Sequence, residues 1–251
     1  MPVFAQVLGG PRPAATSPRK LGFLTNYKFH LGAIQTGDNG DDRFSWDTDI
    51  GADMDVFDLE ILRGNVFANF ESIVGGEYRP IDPNQNNYII DLSVFVRLPR
   101  GELGTTFHHV SRHLSDRAKV EAVAWNMLGA TYGDHFSFGA FELDVGGRAF
   151  AKVVRAAVDY DNEFNAHIRL VRAVNDRFSI IADIDGTIVG VDTDVYGRDT
   201  QYGGRLEGGV RIRGGVGAAE LFIGRERRID AVPFERRPIR WTQLGFRFVV
   251  R

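Results

Sequence analysis

The feature that most constrains the fold of this chain is a strict alternation of apolar and polar residues. In the stretch YIIDLSVFVRL, one face carries Tyr88, Ile90, Leu92, Val94, Val96 and Leu98, and the other carries Asp91, Ser93 and Arg97. Successive side chains of a β-strand point to opposite sides, so this pattern predicts a strand with one apolar and one charged face. The alternation returns in FNAHIRL at 164–170 and in FSIIADIDGTI at 178–188. An all-β fold is therefore expected.

The connections between these stretches alternate between tight and long. Tight turn signals occur at PRGE (99–102), YGDH (132–135), VNDR (174–177) and RGGV (213–216), since these residues accept the backbone angles of hairpins. Longer polar segments include GGEYRPIDPNQN (75–86), SRHLSDRAK (111–119), VDYDN (158–162) and VDTDVYGRDTQ (191–201). The pattern predicts about twelve strands, at roughly 21–35, 42–53, 55–73, 87–98, 102–112, 119–132, 135–150, 162–173, 177–190, 202–213, 215–226 and 239–250.

An even set of long antiparallel strands with short turns at one end is typical of a bacterial outer-membrane barrel. In hydrocarbon every backbone polar group must pair internally, so the sheet has to close on itself. We predict a closed antiparallel transmembrane β-barrel of about 12 strands in one domain at 21–251. The short turns and both termini are expected in the periplasm. Residues 1–20 form a separate N-terminal segment, because MPVFAQVLGG resembles the end of a secretory signal peptide.

Composition excludes several other classes of protein. The 251 residues include no cysteine, which rules out disulfides and thiolate metal sites. The net charge of −3 provides no broad basic surface for nucleic acid, so no nucleic-acid partner is expected. No stretch approaches the roughly 18 consecutive apolar residues of a membrane-spanning helix. We predict no cofactor and no metal site.

The charged face of each strand would line the interior of the barrel. Because lipid-facing and lumen-facing residues alternate, the lumen residues can be read from the pattern. The predicted lumen residues are Asp91, Arg97, His167, Arg169, Asp183, Asp185, Arg205, Glu207, Arg211 and Arg213. They are bulky and of both signs, so they either line a narrow passage or pair and fill it.

The segment TFHHVSRHLSDR (106–117) holds three of the six histidines of the chain. Residues two apart on a strand share a face, so His109 and Ser111 are side by side while His108 points away. A metal site is disfavoured, because His109 and His113 would be about 13 Å apart on a strand. Two further interpretations stay open: an ion-paired loop tip, and a tip that binds lipid phosphate through Arg112, Arg117 and Lys119.

Two family resemblances converge on this segment. The spacing of His109, Ser111, His113, Leu114 and Asp116 resembles the H-x-S-S-H-L-G-D-E stretch of an uncharacterised family of outer-membrane β-barrel proteins. His109-Val110-Ser111 is also similar to the H-x-S of lipid A deacylases, which are outer-membrane barrels with a lipid-facing Ser-His-Glu triad. This resemblance implies Ser111 as nucleophile, His109 as its base, and Glu121 or Asp116 as the carboxylate that orients the imidazole. The chain departs from that family at Arg112, where Asn is usual, and at Val123, where the acid is expected.

The C-terminal stretch WTQLGFRFVV resembles the terminal assembly signal of outer-membrane barrels. This implies recognition by the barrel-assembly machinery through the last strand. Outer-membrane lipid, including lipopolysaccharide, is the other expected partner, and the sequence defines no oligomeric state. We predict a structural or transport role, pore-like and without established chemistry. The alternative is a lipid-active esterase that uses His109 and Ser111.

Overall fold

The computed structural model describes residues 21–38, 40–115, 118 and 121–250. The segment at 1–20, with its predicted signal-peptide remnant, and Asp116 lie outside the described residues. The elements in chain order are β1 (Gly22–Gly37), β2 (Trp46–Asp58), β3 (Leu62–Gly75), β4 (Asp82–Arg97), β5 (Glu102–Leu114), β6 (Val123–Phe138), β7 (Phe141–Ala156), β8 (Tyr160–Ala173), β9 (Phe178–Val191), α1 (Thr193–Tyr196), β10 (Gln201–Arg213), β11 (Gly217–Arg228) and β12 (Ile239–Val250).

The twelve strands form one closed barrel in which each strand pairs antiparallel with its neighbours in sequence. β1 and β12 close the ring, with pairs from Phe29↔Val250 to Gly37↔Thr242. This closure confirms the predicted antiparallel barrel of twelve strands, and it leaves no unpaired sheet edge. Among the described residues, no helix is long and apolar enough to cross a membrane.

The two faces of the wall differ as the alternation predicted. Large apolar side chains are exposed on the outside, among them Leu92, Val94, Ile168, Ile184, Leu221 and Phe248. The inside holds buried charged and polar side chains, including Asp91, Arg169, Asp183 and Glu220. A wall that is apolar outside and charged inside is stable when hydrocarbon surrounds it, because its apolar outer face is then not exposed to water.

The connections define two ends of the barrel. Residues 59–61, 98–101, 139–140, 174–177 and 214–216 make the turns at one end, which we call the short-turn end. In one of them the Leu98 amide donates to the Gly101 carbonyl, and Gly101 has a φ of 68°, which a residue without Cβ adopts readily. The opposite, long-loop end carries the other connections, with described residues 40–45, 76–81, 121–122, 157–159, 192–200 and 229–238.

Three predicted connections differ from the structure. YGDH at 132–135 is not a turn, because β6 continues to Phe138 and pairs with β7 throughout. The VDYDN segment is a short connection rather than a long loop, since β8 already begins at Tyr160. β4 begins at Asp82, inside the predicted loop. In each case the pairing available from the neighbouring strand outweighs the local turn or loop composition.

The connection between β11 and β12 folds into the long-loop mouth of the barrel. Ile229, Asp230 and Ala231 are buried there. Arg198 contacts a carboxylate oxygen of Asp230 at 2.7 Å, and the Tyr160 hydroxyl donates to the other oxygen at 2.8 Å. This insert packs on an apolar cluster inside the barrel that includes Trp125, Met127 and Phe150. Side chains of the barrel wall and of this insert therefore pack the interior near the long-loop end.

A second contact joins the first and last long loops. The Arg43 guanidinium donates to Asp41 at 2.7 and 2.9 Å and to Glu235 at 3.1 Å. These hydrogen bonds favour the ionised carboxylates, so they hold the pKa of Asp41 and that of Glu235 below their ordinary values. We call this contact the loop clasp.

Candidate functional site

The predicted lumen residues other than Arg213 are buried or partly exposed on the inner side of the wall. Asp91, Arg169, Asp183, Asp185, Arg205, Glu207 and Arg211 are buried, and Arg97 and His167 are partly exposed on the same face. Arg213 is exposed at the short-turn end, because it is the last residue of β10 and the strand stops before the interior can enclose it. Arg213 stands two residues after Arg211 on the same strand, so its predicted position at the lumen remains a prediction.

Inner side chains of opposite sign pair closely around Glu220. Arg169, Arg211 and Arg247 all contact this carboxylate, Arg211 at 2.7 Å. Arg247 also reaches Glu207 and Asp183, each at 3.1 Å. We call these six residues the Glu220 cluster. It joins strands β8, β9, β10, β11 and β12 across the interior.

A second set of contacts lies nearer the long-loop end. Arg228 pairs with Glu226 at 2.9 Å, with Glu71 at 3.1 Å and with Asp47 at 2.5 Å. The Trp241 indole N–H and the Gln243 amide donate to Glu226 at 3.0 and 2.6 Å. Elsewhere on the inner face, His108 Nδ1 lies 2.5 Å from Asp91, which also accepts from Arg148.

The space left between these groups is small. A cavity of about 40 Å³ lies between the inner faces of β2 to β8 and is lined by residues such as Arg63, Asp91, Glu102 and His167. That volume holds a few water molecules at most. The paired charges and the insert at the mouth thus occupy much of the described interior.

The outer face of β5 carries a polar row near the long-loop end. His109, Ser111 and His113 follow one another at every second position, so all three point outward. The Ser111 hydroxyl lies 2.7 Å from His113 Nε2. The His113 ring contacts Tyr88 edge-on, with a centroid distance of 5.3 Å. In this arrangement the nucleophile candidate bonds His113, and not His109 as expected from the motif.

His109 has a partner that the sequence did not reveal. Its Nδ1 lies 2.6 Å from Oδ1 of Asn126, the residue directly opposite on β6. An amide oxygen only accepts, so Nδ1 carries the proton and Nε2 is left as the basic nitrogen. Asn126 is therefore the observed partner of His109 Nδ1, the contact that was predicted for Glu121 or Asp116.

Neither predicted carboxylate has been placed beside the imidazole. Glu121 is exposed in the loop before β6, and no hydrogen bond to His109 is found for it among the described residues. Asp116 lies outside the described residues, as do Arg117 and Lys119. Arg112 points inward, where its guanidinium lies over the Trp125 ring at 5.4 Å. A phosphate-binding role for Arg112 at an outer loop tip is thus contradicted by its orientation.

A second Ser-His pair occurs at the short-turn end of β6. Ser137 Oγ lies 3.0 Å from His135 Nε2, and His135 Nδ1 lies 2.6 Å from Asp144 Oδ1. Asp144 stands directly opposite His135 on β7. This serine, imidazole and carboxylate follow the contact order of a hydrolytic triad, at a rim where Ser137 is exposed. The spacing HFS at 135–137 is the signal that could have identified it.

No group of three or more His, Asp or Glu side chains arranged to hold a metal ion is found in the described part of the chain. Polar side chains occur inside the barrel as paired charges, and at the strand ends as hydroxyl, imidazole, amide, carboxylate and guanidinium groups.

A closed antiparallel barrel with an apolar outside and a charged inside is the fold of bacterial outer-membrane β-barrels, and this chain has that fold. No protein-family model matches the sequence, and no curated protein matches it. Membership of the family with the H-x-S-S-H-L-G-D-E stretch remains a prediction.

Solved structures with this fold include both enzymes and channels. Outer membrane phospholipase A of Escherichia coli aligns with a TM-score of 0.54 at 11% identity, over 91% of this chain and 98% of that one. The Salmonella typhi outer membrane phospholipase dimer with bound calcium aligns at 0.55 and 10% identity, over 95% of each chain. An outer membrane channel of Pseudomonas putida F1 aligns at 0.53 and 12% identity, over 95% and 99%. At these identities the likeness defines the fold.

Proposed function

We propose that this barrel is a lipid-directed serine acyl hydrolase of the outer membrane, with its reaction centre on the outer face of β5 and β6. The observation that carries the proposal is the contact between His109 Nδ1 and Asn126 Oδ1 at 2.6 Å, next to an outward-facing serine. A base held by a third group, beside a hydroxyl on the same face, is the arrangement that activates a serine nucleophile.

Ser111 stands midway between two imidazoles, His109 two residues before it and His113 two residues after. Its hydroxyl is turned toward His113 in the resting arrangement. Rotation about the Cα–Cβ bond of Ser111 turns the hydroxyl toward His109, whose tautomer Asn126 has already selected. We therefore assign His109 as the base, Ser111 as the nucleophile and Asn126 as the orienting residue, with His113 holding the hydroxyl at rest.

The chemistry follows from these assignments. Ser111 Oγ attacks the acyl carbonyl carbon while its proton passes to His109 Nε2. The ester C–O bond then breaks, and the leaving alkoxide takes the proton from the imidazolium. Water, deprotonated by the same nitrogen, cleaves the acyl-serine and releases the fatty acid. Asn126 keeps Nδ1 protonated throughout.

The location of the row favours a membrane lipid as the substrate. Ser111 lies three residues from the long-loop end of β5 and is flanked on its outer face by Tyr88 and Ala124. Ile90, one outward position farther from the loops than Tyr88, and Leu128, two positions farther than Ala124, are exposed apolar residues. A lipid ester at the boundary between headgroup and hydrocarbon reaches such a position laterally. The fold is compatible with this chemistry, since two structures that share it are outer-membrane phospholipases.

The test is acyl release by the purified, folded protein reconstituted in phospholipid vesicles and in vesicles that contain lipid A. Wild type should release fatty acid, and Ser111→Ala, His109→Ala and Asn126→Ala should lose most of that activity, about 10²-fold or more for the base. His113→Ala should keep it. Heat-modifiable migration in gels would verify that each variant is folded. No release by wild type from either vesicle would overturn the proposal, and loss in His113→Ala with retention in His109→Ala would show that the base has been misassigned.

A second candidate is an esterase activity toward water-soluble esters at the short-turn rim. The completed contacts of Ser137, His135 and Asp144 favour it. The rim is exposed to water rather than lipid, so the probe is a soluble chromogenic acetate ester. Loss of this activity in Ser137→Ala, with retention in Ser111→Ala, would establish this centre. In the lipid assay, the Ser137→Ala variant serves as the matched control.

A further inference from the structure

Three arginines form a cationic patch on the outer face of β11 and β12. Arg227 stands directly opposite Arg240, and Arg225 stands one outward position below, opposite Thr242. Arg225 and Arg240 are exposed and Arg227 is half-buried. Like charges placed directly opposite one another on a sheet repel. The pairing of Arg227 with Arg240 therefore costs stability unless an anion lies between them.

No carboxylate of the described residues neutralises this patch. None of the three arginines makes a side-chain hydrogen bond or salt bridge to another described residue, and the Nη1 donor of Arg227 is buried without a partner. Glu226 and Asp185, the acids that line the groove, point inward, where Arg228 and Arg205 contact them. Asp38 lies beside the patch, where its carboxylate accepts from the Thr242 hydroxyl at 2.9 Å, but it forms no ion pair with the three arginines. The Nη1 donor of Arg227, like the exposed guanidinium groups of Arg225 and Arg240, is thus available to an anion that enters the patch.

The patch lies where the outer surface changes from apolar to charged. On β11 the outward residues run Leu221, Ile223, Arg225 and Arg227 toward the long-loop end. On β12 they run Phe246, Leu244, Thr242 and Arg240 in the same direction. In a membrane barrel this change marks the level at which hydrocarbon gives way to lipid headgroups.

The surface around the arginines is concave. A groove of about 490 Å³ is lined by the three arginines together with Gly204 and Leu206, and by the inner residues behind them. Gly204 faces Arg227 across β10 and β11. Because it has no side chain, the groove stays open beside the guanidinium of Arg227.

We propose that the groove of Arg225, Arg227 and Arg240 binds the phosphate groups of a membrane-lipid headgroup. Guanidinium groups bind phosphate oxygens through paired hydrogen bonds. The ligand is a lipid rather than free phosphate, because Ile223 and Leu244 lie immediately below the arginines and contact the acyl chains of the same molecule. The site is independent of the proposed hydrolase centre, since β11 and β5 lie six strands apart in the ring of twelve.

The test measures binding of bis-phosphorylated lipid A to the full chain in detergent micelles by native mass spectrometry. The variant replaces all three residues: Arg225→Gln, Arg227→Gln and Arg240→Gln. A matched control removes the same charge from exposed arginines of the short-turn end: Arg100→Gln, Arg177→Gln and Arg213→Gln. We expect wild type and control to bind alike and the patch variant to bind at least about tenfold more weakly. Lipid A stripped of its phosphates should bind all three proteins equally and weakly.

Thermal unfolding supplies a second readout that requires no binding titration. Without phosphorylated lipid the patch variant should be at least as stable as wild type, because the repulsion between Arg227 and Arg240 is gone. With the lipid present, wild type and the short-turn control should gain stability, and the patch variant should not. Equal lipid binding by the patch variant, or an equal loss in the short-turn control, would overturn the proposal. Competition by inorganic phosphate at concentrations near those of the lipid would overturn the assignment to a lipid.

Discussion

Replacing Arg247 by Met would test whether the interior is packed or hydrated. The Arg247 side chain is 1% exposed and contacts Glu220, Glu207 and Asp183. Removing one partner of a buried ion pair costs about 3–5 kcal/mol, because a charge is left without compensation away from water. Each of the three carboxylates keeps another arginine, namely Arg169, Arg205 or Arg211. We therefore expect a loss near the lower limit, about 3 kcal/mol of the free energy of unfolding.

Urea unfolding of the barrel in lipid vesicles, followed by tryptophan fluorescence, would measure this loss. The double variant Arg247→Met with Glu220→Gln removes one charge of each sign and should recover part of the stability, since replacing a whole buried pair is often nearly neutral. Arg213→Met is the control: it removes an exposed arginine and should cost less than about 0.5 kcal/mol. If Arg247→Met were as stable as Arg213→Met, water would be screening the interior, and a hydrated passage through the barrel would have to be reconsidered.

Three further expectations concern the faces, the orientation and the loops. Leu92→Arg or Ile168→Arg, on the exposed apolar face, should lower the free energy of unfolding in vesicles by about 2–4 kcal/mol. Ser93→Ala, on the inner face, should lower it by about 1 kcal/mol. Equal losses on the two faces would contradict the membrane assignment. Epitope tags after Glu77 or Asp199, in long loops, should be accessible to antibody on intact cells, and labelling at Gly101 or Gly215 instead would invert the orientation. The loop clasp should loosen under acid, because Arg43 lowers the pKa values of its two carboxylates. Its contribution to stability is therefore complete above the ordinary carboxyl pKa values near 4, and it is lost as the pH falls through the lowered pKa values. Hydrogen exchange of the 40–45 loop should therefore be faster at pH 3 than at pH 6 after correction for intrinsic rates, and an unchanged corrected rate would exclude this role.

Much of the fold was predictable because the membrane imposes a simple rule on each strand. Ile90, Leu92 and Val94 are outside and Asp91 and Ser93 inside for the same reason that the stretch alternates. The alternation does not depend on knowing which strand is the neighbour. Local turn composition was less reliable: Gly133 and Asp134 look like turn residues, yet each pairs with a residue of β7.

The partners within the candidate site depend on cross-strand register, which the sequence does not specify. His109 meets Asn126 only because the loop between β5 and β6 returns the chain in one register, and a shift by two residues would bring Ala124 or Leu128 there instead. The contact between Ser111 and His113 depends on side-chain rotamers as well. The H-x-S spacing could identify candidate residues, therefore, but not which imidazole bonds the serine or what holds it.

The outward polar residues differ from the larger number of polar residues inside in how their polarity is compensated. Inside the barrel, arginines and carboxylates from facing strands neutralise one another, as Arg247 does with acids on β9, β10 and β11. Outward polar side chains have fewer partners in the wall, as with the single contacts of His109 to Asn126 and of Ser111 to His113, and near hydrocarbon they are costly unless a headgroup or a substrate contacts them. His109, Ser111 and Asn126 on one side of the ring, and Arg225, Arg227 and Arg240 on the other, lie at the strand ends where that contact is available. Both proposed sites therefore lie on the outer surface of the barrel, at the level where lipid headgroups can reach them.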